Sequence, residues 1–370
     1  MSWKTYKKLT LTAAVALLLA SCSSTSTKTK KPTTGYNPET AKLGAVFQGR
    51  QFIPYNMPFV AVSQIATKGN VVNPRDFLQQ IANVRTYSNT ITGRYAGTYG
   101  KISSWLNAGG NVQDLTKYGI NLRQMRGEDG YQNVLMTGYY IPVIPARMTP
   151  QGEFRHPLYA IPYGNKKFSR AEIYRGALAG KGLELAYTNS MLENFLMEVQ
   201  GSGFVDIGGG NLRHFAYGDK NGYSYTSIGR LLVEDGEIPK EKMSIQAIRD
   251  WAARNPARLQ SLLERNRSFV YFRPDNTLDV KGSAQVPLVA LASVASDTRI
   301  VPSGSVLLVE MPINDNNGNW TGKHELRLMV ALDRGGAVKG QHFDLYQGIG
   351  NQAGHRAGHM KHYGRVWVLN

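Results

Sequence analysis

Short apolar segments separated by glycines and turn residues fill the chain from Phe269 to the C-terminus, which leaves few folds open to this region. The segments are Phe269–Phe272, Val306–Glu310, Leu326–Leu332 and Val366–Leu369. Their length and their content of β-branched and aromatic residues are typical of strands. Because the strands are short and glycine is abundant, with 39 residues in the chain, we predict a β-barrel here rather than a parallel βαβ sheet.

Helical patterns come before this region and mix with strands in the middle of the chain. A first helix begins at Asn73-Pro74 and carries apolar residues at helical spacing as far as Val84. Further helices are predicted at residues 102–106, 112–118, 173–178 (after a Ser169–Glu172 capping box), 189–199, 225–234, 244–253 and 256–264. A strand is predicted at 133–140 and a hairpin turn at 219–222. The fold class expected is mainly β with peripheral helices.

Three aspartates stand among the glycines and apolar strands of the last quarter: Asp297, Asp333 and Asp344. A Gly-Gly break and a short apolar run separate Asp333 from Asp344, so the chain could return and place the two side by side. Carboxyl groups gathered in a partly apolar groove hold a proton near neutral pH. The alternative is that Asp297 and Asp333 are ordinary turn residues.

The N-terminus has the pattern of a secretory signal over residues 1–21. Basic residues precede an apolar run from Leu9 to Ala20, which is too short to span a membrane as a helix. The sequence Leu19-Ala20-Ser21-Cys22 resembles the bacterial lipoprotein processing site, so we predict that Cys22 is lipidated. A plain signal with an incidental cysteine is the alternative. Cys22 is the one cysteine of the chain, which excludes an internal disulfide.

Residues 22–50 are predicted to be a flexible tether, because serine, threonine, lysine and proline dominate its first half. In lipoproteins a residue other than aspartate after the cysteine, here Ser23, goes with the outer membrane. We therefore expect a lipid-anchored protein on the periplasmic face of the outer membrane of a Gram-negative bacterium. The remaining residues suffice for one large domain or two modest ones.

The chain is strongly basic. Its net charge of +17 falls to +14 when Lys4, Lys7 and Lys8 leave with the signal. Such a charge attracts polyanions. In the cytosol nucleic acid would be the natural partner, but outside it the carboxylates of the cell wall are the better expectation, and we predict no nucleic-acid partner. Charge alone is compatible with either.

A series of motifs in the same order resembles the family of membrane-bound lytic murein transglycosylase A from about residue 50 to the C-terminus. The motifs are Thr137-Gly-Tyr-Tyr140, Glu198-Val-Gln-Gly-Ser-Gly203, Ser227-Ile-Gly-Arg230, Met243 to Arg249, Ser268 to Phe272, Val286-Pro-Leu288, Ala295-Ser-Asp297, the Asp333 to Asp344 block, and Ala353 to Gly358. The C-terminal part is similar to a smaller module named for three aspartates, which Asp297, Asp333 and Asp344 fill in register.

This resemblance implies a two-domain fold. A double-psi β-barrel would combine residues 51–140 with residues 272–370, and a second, mostly β domain would be inserted as residues 141–271. The glycan groove would lie where the two meet. The mixed middle region between two β-tending flanks agrees with a discontinuous domain, although it does not by itself identify the barrel topology.

The same resemblance implies a lytic transglycosylase that cleaves the β-1,4 bond between N-acetylmuramic acid and N-acetylglucosamine in peptidoglycan. The C6 hydroxyl of the muramyl ring attacks its own C1 and leaves a 1,6-anhydro end. By resemblance the acid, and then the base, is Asp344. Its pKa must lie above the ordinary 3.9 or so of aspartate, raised either by desolvation or by a neighbouring carboxylate. Phe343 and Leu345 would point away from the Asp344 face of a strand, so any desolvation must come from elsewhere. Asp333 is the candidate neighbour, and Asp297 is expected to be a structural carboxylate. Glycan strands are the expected partners, and wall-synthesis proteins are further candidates.

Candidate substrate-binding residues follow from these motifs. Gln200, Gly201, Ser202 and Gly203 offer an amide, a hydroxyl and close backbone approach, or else form a plain glycine-rich turn. Thr137, Tyr139 and Tyr140 could line the groove, although tyrosines packed in the core are nearly as common. Gly335 belongs to the same set, and Lys339 could meet a lactyl carboxylate or remain a solvated loop charge.

Three other patterns carry no function. His355, His359 and His362 have a spacing similar to that of a zinc helix, but Arg356 replaces the catalytic glutamate, and Gly354 and Gly358 weaken any helix. The glycines from 348 to 354 do not fit the dinucleotide fingerprint, and there is no Gly-x-Ser-x-Gly elbow. We therefore predict no metal and no cofactor.

Two rival functions stay open. A double-psi barrel also occurs in β-glycan hydrolases, which use two carboxylates and a water, and Asp333 or Asp297 would then be the base. The other rival is a non-catalytic lipoprotein that binds the wall.

Overall fold

The computed structural model describes residues 43–47, 57–127 and 129–370. The predicted signal, Cys22 and the tether apart from residues 43–47 lie outside the described residues. Within these ranges no helix has both the length and the apolar character needed to cross a membrane.

Fifteen strands and eight α-helices make up the described part of the chain. The helices are α1 (Pro74–Tyr87), α2 (Asn89–Asn107), α3 (Arg170–Tyr174), α4 (Met191–Gln200), α5 (Ile228–Glu234), α6 (Ile245–Arg254), α7 (Pro256–Glu264) and α8 (Gly350–His359). Short 3₁₀ helices span Val112–Tyr118 and Lys240–Lys242. The first strands are β1 (Phe59–Val62), β2 (Leu122–Met125), β3 (Val134–Ile141), β4 (Val143–Arg147), β5 (His156–Tyr159), β6 (Glu184–Thr188), β7 (Gly203–Asp206) and β8 (Leu212–Lys220). The others are β9 (Val270–Asp275), β10 (Ser293–Ala295), β11 (Val306–Asn314), β12 (Trp320–Asp333), β13 (His342–Ile349), β14 (Lys361–Gly364) and β15 (Val366–Leu369).

The strands form two sheets that are discontinuous in sequence. A nine-stranded sheet has the order β1-β2-β15-β11-β12-β10-β13-β3-β14, and a six-stranded sheet has the order β5-β6-β4-β7-β8-β9. The larger sheet thus joins strands from both ends of the described chain, and the smaller one uses the strands between them. The predicted class, mainly β with helices, is confirmed.

Both faces of the central strands of the larger sheet are buried. Val306 and Leu308 of β11 pack with α1 and α2 in one apolar cluster, whereas Leu307 and Val309 lie in a second cluster on the opposite face. A continuous apolar run such as Leu326–Leu332 is what a strand buried on both faces requires. Both faces of these strands therefore contribute to the apolar core.

The predicted helices are largely confirmed. The capping box at Ser169 forms as expected, because the Ser169 hydroxyl accepts from the Glu172 amide and the Glu172 carboxylate accepts from the Ser169 amide. The helix that follows ends at Tyr174, earlier than predicted. Residues 102–106 are the last part of the longer helix α2.

The predicted hairpin at 219–222 is wrong. Strand β8 ends at Lys220 and pairs with β7 and with β9, which begins 50 positions later at Val270. Asn221 is buried, with 1% of its surface exposed. Its side-chain amide donates to the carbonyls of Phe168 and Arg267, at 2.8 Å each. Asn221 therefore joins two distant segments instead of forming a tight turn.

Gly354 and Gly358 were expected to weaken any helix at this point, but α8 runs through both of them. A Cβ atom placed on Gly354 would lie 2.7 Å from Tyr140 Cε2, and one on Gly138 would lie 3.0 Å from Ala357 Cα. Helix α8 thus packs on β3 at a distance that only glycines permit. Tertiary contact outweighs the low helix propensity of glycine here.

Candidate active site

Two of the three aspartates are brought together by the pairing of β10 with both of its neighbours. Ala295 of β10 lies opposite Asp333 of β12 on one side and opposite Asp344 of β13 on the other. Strand β13 also pairs in parallel with β3, which places Thr137 opposite Asp344. Residues far apart in sequence therefore meet at the centre of the nine-stranded sheet.

Asp344 is fully buried, with no exposed surface. Its Oδ1 accepts a hydrogen bond of 2.6 Å from the Thr137 hydroxyl, and its Oδ2 has no hydrogen-bond partner among the described residues. Burial raises the pKa of Asp344 to about 8; the Thr137 bond opposes this rise and the charge of Asp333 adds to it. The carboxyl group therefore holds its proton at neutral pH.

Asp333 is buried as well, but its carboxylate is better supported. Oδ1 accepts from the backbone amides of Ser283 and Arg334, at 2.8 Å each, and Oδ2 accepts from the Tyr139 hydroxyl at 3.0 Å. Burial raises the pKa of Asp333, while these bonds oppose the rise. Burial also places the pKa of Tyr139 well above its ordinary range, so its hydroxyl remains a donor.

Asp297 has a different environment. It forms an ion pair with Arg299, with 2.6 Å between Oδ2 and Nη2, and it accepts from the Gly340 amide at 3.0 Å. These bonds, above all that with Arg299, hold the pKa of Asp297 well below its usual range. Asp297 is therefore ionised and ties the loop before β13 to the end of β10.

A cavity of about 750 Å³ lies beside the aspartates, between the two sheets. Tyr139 and Asp333 of the larger sheet line it, together with Gln200, Gly201 and Ser202 from the end of α4. The other wall comes from β8, from β9 and from the segment after β9: His214, Ala216 to Lys220, Arg273, Asp275, Asp279 to Lys281, Ser283 and Gln285. Asp344 is not among the residues that line this cavity.

Two buried acceptors without partners line this cavity. Gln200 Oε1 and His214 Nε2 make no hydrogen bond within the described residues. The Nδ1 of His214 lies 3.0 Å from the Thr277 carbonyl, which can only accept, so the ring hydrogen is assigned to Nδ1. Burial lowers the pKa of His214. The imidazole is therefore neutral, and Nε2 offers a lone pair to a ligand.

Charges of both signs occupy the wall opposite Asp333. The cations are Lys220, Arg273 and Lys281, and the acids are Asp219, Asp275 and Asp279. Arg273 pairs with Asp275 at 3.3 Å, while Lys281 Nζ lies 5.0 Å from the centre of the Tyr87 ring. A ligand that carries hydroxyls, amides and carboxylates finds complementary groups on this wall.

Several predicted binding residues lie away from the cavity. Tyr140 points to the other face of β3, where it packs with Ala353 and Ala357 of α8, because neighbouring side chains alternate along a strand. Lys339 is exposed and Gly335 is buried in the loop after β12; neither is among the described lining residues. A Cβ on Gly203 would lie 2.7 Å from Met197 Cγ, so this glycine serves the packing of β7 on α4.

Sequence reasoning missed two histidines. His214 lines the cavity, and His342 lies 2.9 Å, at Nε2, from the Thr137 hydroxyl oxygen. A signal for His342 was available, because it stands two positions before Asp344 and so shares its face of the strand. His214 had no signal, since nothing local places β8 at the same cavity as β3.

Comparisons with known proteins agree with this architecture. A family model described as the MltA specific insert domain matches residues 135–273, and one described as the 3D domain matches residues 292–370. The membrane-bound lytic murein transglycosylase A of Escherichia coli strain K12 is 52% identical over 318 residues, which cover 85% of this chain and 87% of that protein. The protein of the same name from Vibrio cholerae serotype O1 is 47% identical over 302 residues, 80% of this chain and 82% of that one.

A solved structure is similar over nearly its whole length. The crystal structure of E. coli MltA with bound chitohexaose matches with a TM-score of 0.82 and 49% identity, covering 92% of this chain and 99% of that chain.

Proposed function

The chain belongs to the family of membrane-bound lytic murein transglycosylase A, and on that premise we propose that it cleaves peptidoglycan by transglycosylation. The bond cut is the β-1,4 bond between N-acetylmuramic acid and N-acetylglucosamine, and the products end in 1,6-anhydromuramyl rings. Asp344 serves as the acid and then as the base. The names of the relatives and the chitohexaose bound to one of them support a glycan substrate.

The observation that carries this proposal is the state of Asp344. It is a buried carboxyl group with a pKa of about 8 and an Oδ2 without a partner in the described residues, next to a cavity between two sheets. A general acid must hold its proton at the working pH and still be able to release it. Asp344 meets both conditions, since its pKa lies close to neutrality.

The first step is proton transfer from Asp344 to the glycosidic oxygen. The bond between that oxygen and C1 of the muramyl ring breaks, the N-acetylglucosamine departs with a hydroxyl group, and an oxocarbenium-like centre remains at C1. Asp344 is left as a carboxylate. The Thr137 hydroxyl stabilises it through the 2.6 Å bond to Oδ1.

The second step closes the ring. The C6 hydroxyl attacks C1 of the same sugar, and the Asp344 carboxylate takes its proton, which restores the acid. Because the nucleophile belongs to the same ring, it acts at high effective concentration and needs no activated water. One carboxyl group therefore suffices. Asp333 has the supporting part, because its charge raises the pKa of Asp344.

The substrate must gain access to a covered acid. Tyr139 and Asp333 line the cavity, whereas Asp344 has no exposed surface. We infer that glycan binding displaces the local cover, of which Tyr139 is the natural component. Its ring packs on Tyr346 with 5.3 Å between centres, and its hydroxyl bonds to Asp333.

The unpartnered acceptors in the cavity serve substrate binding in this proposal. Gln200 Oε1 and His214 Nε2 accept hydrogen bonds from sugar hydroxyls or acetamido N–H groups, and Ser202 adds a hydroxyl at the same rim. Unpaired buried acceptors favour ligands that supply donors, since an unmet polar group is costly. The cations on the opposite wall suit the lactyl or peptide carboxylates of peptidoglycan.

The remaining parts of the proposal concern fold and location. We propose a double-psi β-barrel from residues 51–140 and 272–370 with residues 141–271 inserted; the division of strands between the two sheets supports it. We also propose that Cys22 is lipidated and anchors the protein to the periplasmic face of the outer membrane, with glycan strands as its partners. The processing-site sequence supports this.

Purified peptidoglycan incubated with wild type, Asp344→Asn and Asp333→Asn, followed by mass spectrometry of the products, tests the proposal. We expect anhydromuramyl ends from wild type, lighter by one water than hydrolytic ends. Asp344→Asn should release none while still binding glycan. Asp333→Asn should keep measurable cleavage to anhydro products.

Other outcomes would identify the rivals. Of the three aspartates singled out in the sequence, Asp333 is the one that lines the cavity, which favours a two-carboxylate hydrolase as the second candidate. Reducing ends together with complete inactivity of Asp333→Asn would establish that hydrolase. If the wild-type protein leaves the glycan intact, the remaining hypothesis is a non-catalytic lipoprotein that binds the wall.

A further inference from the structure

His342 is a buried histidine to which the mechanism above gives no part. It precedes Asp344 by two positions on β13, and 6% of its surface is exposed. Its Nε2 lies 2.9 Å from Thr137 Oγ1, which in turn lies 2.6 Å from Asp344 Oδ1. The three side chains thus form a continuous chain of hydrogen bonds that ends at the proposed acid.

We propose that His342 is a positioning residue that fixes the direction of the Thr137 hydroxyl, so that the exchangeable proton of Asp344 is confined to Oδ2. This proposal rests on the proposed function, because it concerns the same acid. His342 does not touch the substrate. It acts through Thr137 alone.

The number of available hydrogens sets the donor and the acceptor of each hydrogen bond among His342, Thr137 and Asp344. Thr137 has a single hydroxyl hydrogen. When Asp344 is ionised, both its oxygens can only accept, so this hydrogen must go to Oδ1. The contact of 2.9 Å with His342 is then a hydrogen bond only if Nε2 carries the ring hydrogen and donates to Thr137 Oγ1.

The imidazole has only one hydrogen to give. Burial lowers the pKa of His342 to about 4, so the ring is neutral at working pH. The backbone of Ala337 interacts with the ring and opposes this lowering of the pKa. Thr137 and Ala337 therefore compete for one N–H, and the outcome is a choice between two tautomers.

The two tautomers place the proton of Asp344 differently. With the hydrogen on Nδ1, Nε2 would take the Thr137 proton, and Oδ1 would need its own proton to avoid facing oxygen lone pairs at 2.6 Å. With the hydrogen on Nε2, Oδ1 is supplied by Thr137 in both protonation states of Asp344. Since the proposed cycle passes through the carboxylate, only the Nε2–H tautomer serves the whole cycle. It leaves the exchangeable proton on Oδ2, the oxygen without a described partner.

Other titratable groups near Asp344 do not replace this chain. Asp333 of β12 and Tyr139 of β3 interact electrostatically with it, but they bond to each other. Asp297, beyond the end of β10, is paired with Arg299. Among the described residues, the Thr137 hydroxyl therefore provides the side-chain hydrogen bond to Oδ1, and His342 orients that hydroxyl.

A double-mutant cycle on the intact protein tests the proposal. The variants are His342→Leu, which removes the donor at similar size, Thr137→Val, which removes the hydroxyl, and their combination. His342→Gln is the matched control, because its amide can still donate to Thr137. The readout is kcat, KM and the pH profile of kcat/KM with soluble glycan fragments; thermal unfolding confirms that each variant is folded.

His342→Leu should lower kcat about tenfold, the effect of weakening one hydrogen bond to a charged group, with KM little changed. The alkaline limb of its profile should move to higher pH, because the carboxylate loses support and the pKa of Asp344 rises further. His342→Gln should stay within about threefold of wild type. If His342 acts through Thr137, the double variant should be no worse than Thr137→Val.

Two results would overturn the proposal. One is a kcat of the double variant reduced by the product of the two single reductions, and the other is an unchanged pH profile in a folded His342→Leu variant. If His342→Leu does not fold, nitrogen chemical shifts of ¹⁵N-histidine-labelled wild type decide the matter, with the signal assigned by its loss in His342→Gln. Above the pKa of Asp344 we expect the Nε2–H tautomer, and the Nδ1–H tautomer would contradict us. Cleavage by Asp344→Asn would instead refute the proposed function, whatever His342 does.

Discussion

Asp344→Asn should stabilise the folded protein, and the gain should depend on pH in a defined way. A carboxyl group whose pKa is raised on folding binds its proton more tightly in the folded state than in the unfolded one. Its favourable contribution is complete below the unfolded pKa and is lost as the pH rises through the folded pKa. For Asp344 that window extends from about 3.8 to about 8. Asparagine does not titrate, so the variant does not lose stability as the pH rises through this window.

The magnitude follows from the two pKa values. Each pH unit within the window costs about 1.4 kcal/mol for one proton. Between about pH 5 and about pH 8 the free energy of unfolding of Asp344→Asn should therefore rise by about 4 kcal/mol relative to wild type. Above the window the difference should stay constant. This is a large part of the 5–15 kcal/mol or so that holds a typical protein folded.

Urea unfolding of wild type and variant at one-unit pH steps measures this difference. Asp333→Asn is the matched control: its pKa is raised too, but three hydrogen bonds support its carboxylate, so its pH-dependent gain should be smaller. A difference between wild type and Asp344→Asn that does not vary with pH would refute the reasoning, since Asp344 would then titrate normally.

The other predictions concern packing and binding. Gly354→Ala should destabilise the protein by about 1–2 kcal/mol in urea unfolding, because overpacking against Tyr140 exceeds the gain in helix propensity. Gly358→Ala in the same helix is the control: its new methyl group meets nothing within 4 Å, so it should be neutral or slightly stabilising. A larger loss of stability for Gly358→Ala than for Gly354→Ala would contradict this packing. His214→Phe should raise KM for glycan fragments about fivefold or more with kcat nearly unchanged, since it removes an acceptor. Equal losses in kcat and kcat/KM would assign His214 to the transition state instead.

The chemistry of the site was more accessible from the sequence than its geometry. Asp344 was proposed as the acid from motif resemblance, and the need for a raised pKa followed from that proposed role. Desolvation and a neighbouring carboxylate were both expected sources of the rise, and burial contributes most, with a further contribution from Asp333. The segments that bury Asp344 could not be predicted, because burial depends on contacts between distant parts of the chain.

The bonds of the site could not be predicted because they join residues far apart. Thr137 and Asp344 are separated by 207 positions, and no local pattern announces that β3 and β13 are parallel neighbours. Local signals failed for the same reason at Asn221, whose turn propensity is outweighed by two long-range hydrogen bonds. The sequence did not decide which of Tyr139 and Tyr140 faces the cavity, because the two look alike, although a strand sends them to opposite faces.

The two walls of the cavity belong to different sheets. The proposed acid, Asp344, and Thr137 stand on the nine-stranded sheet, while His214 and the charged groups of β8 and β9 stand on the six-stranded one. Recognition can therefore diversify through substitutions in one body without disturbing proton chemistry in the other. Substitutions in the six-stranded sheet could therefore adapt the protein to a modified wall polymer, and the same positions are the first to change when a different glycan preference is wanted.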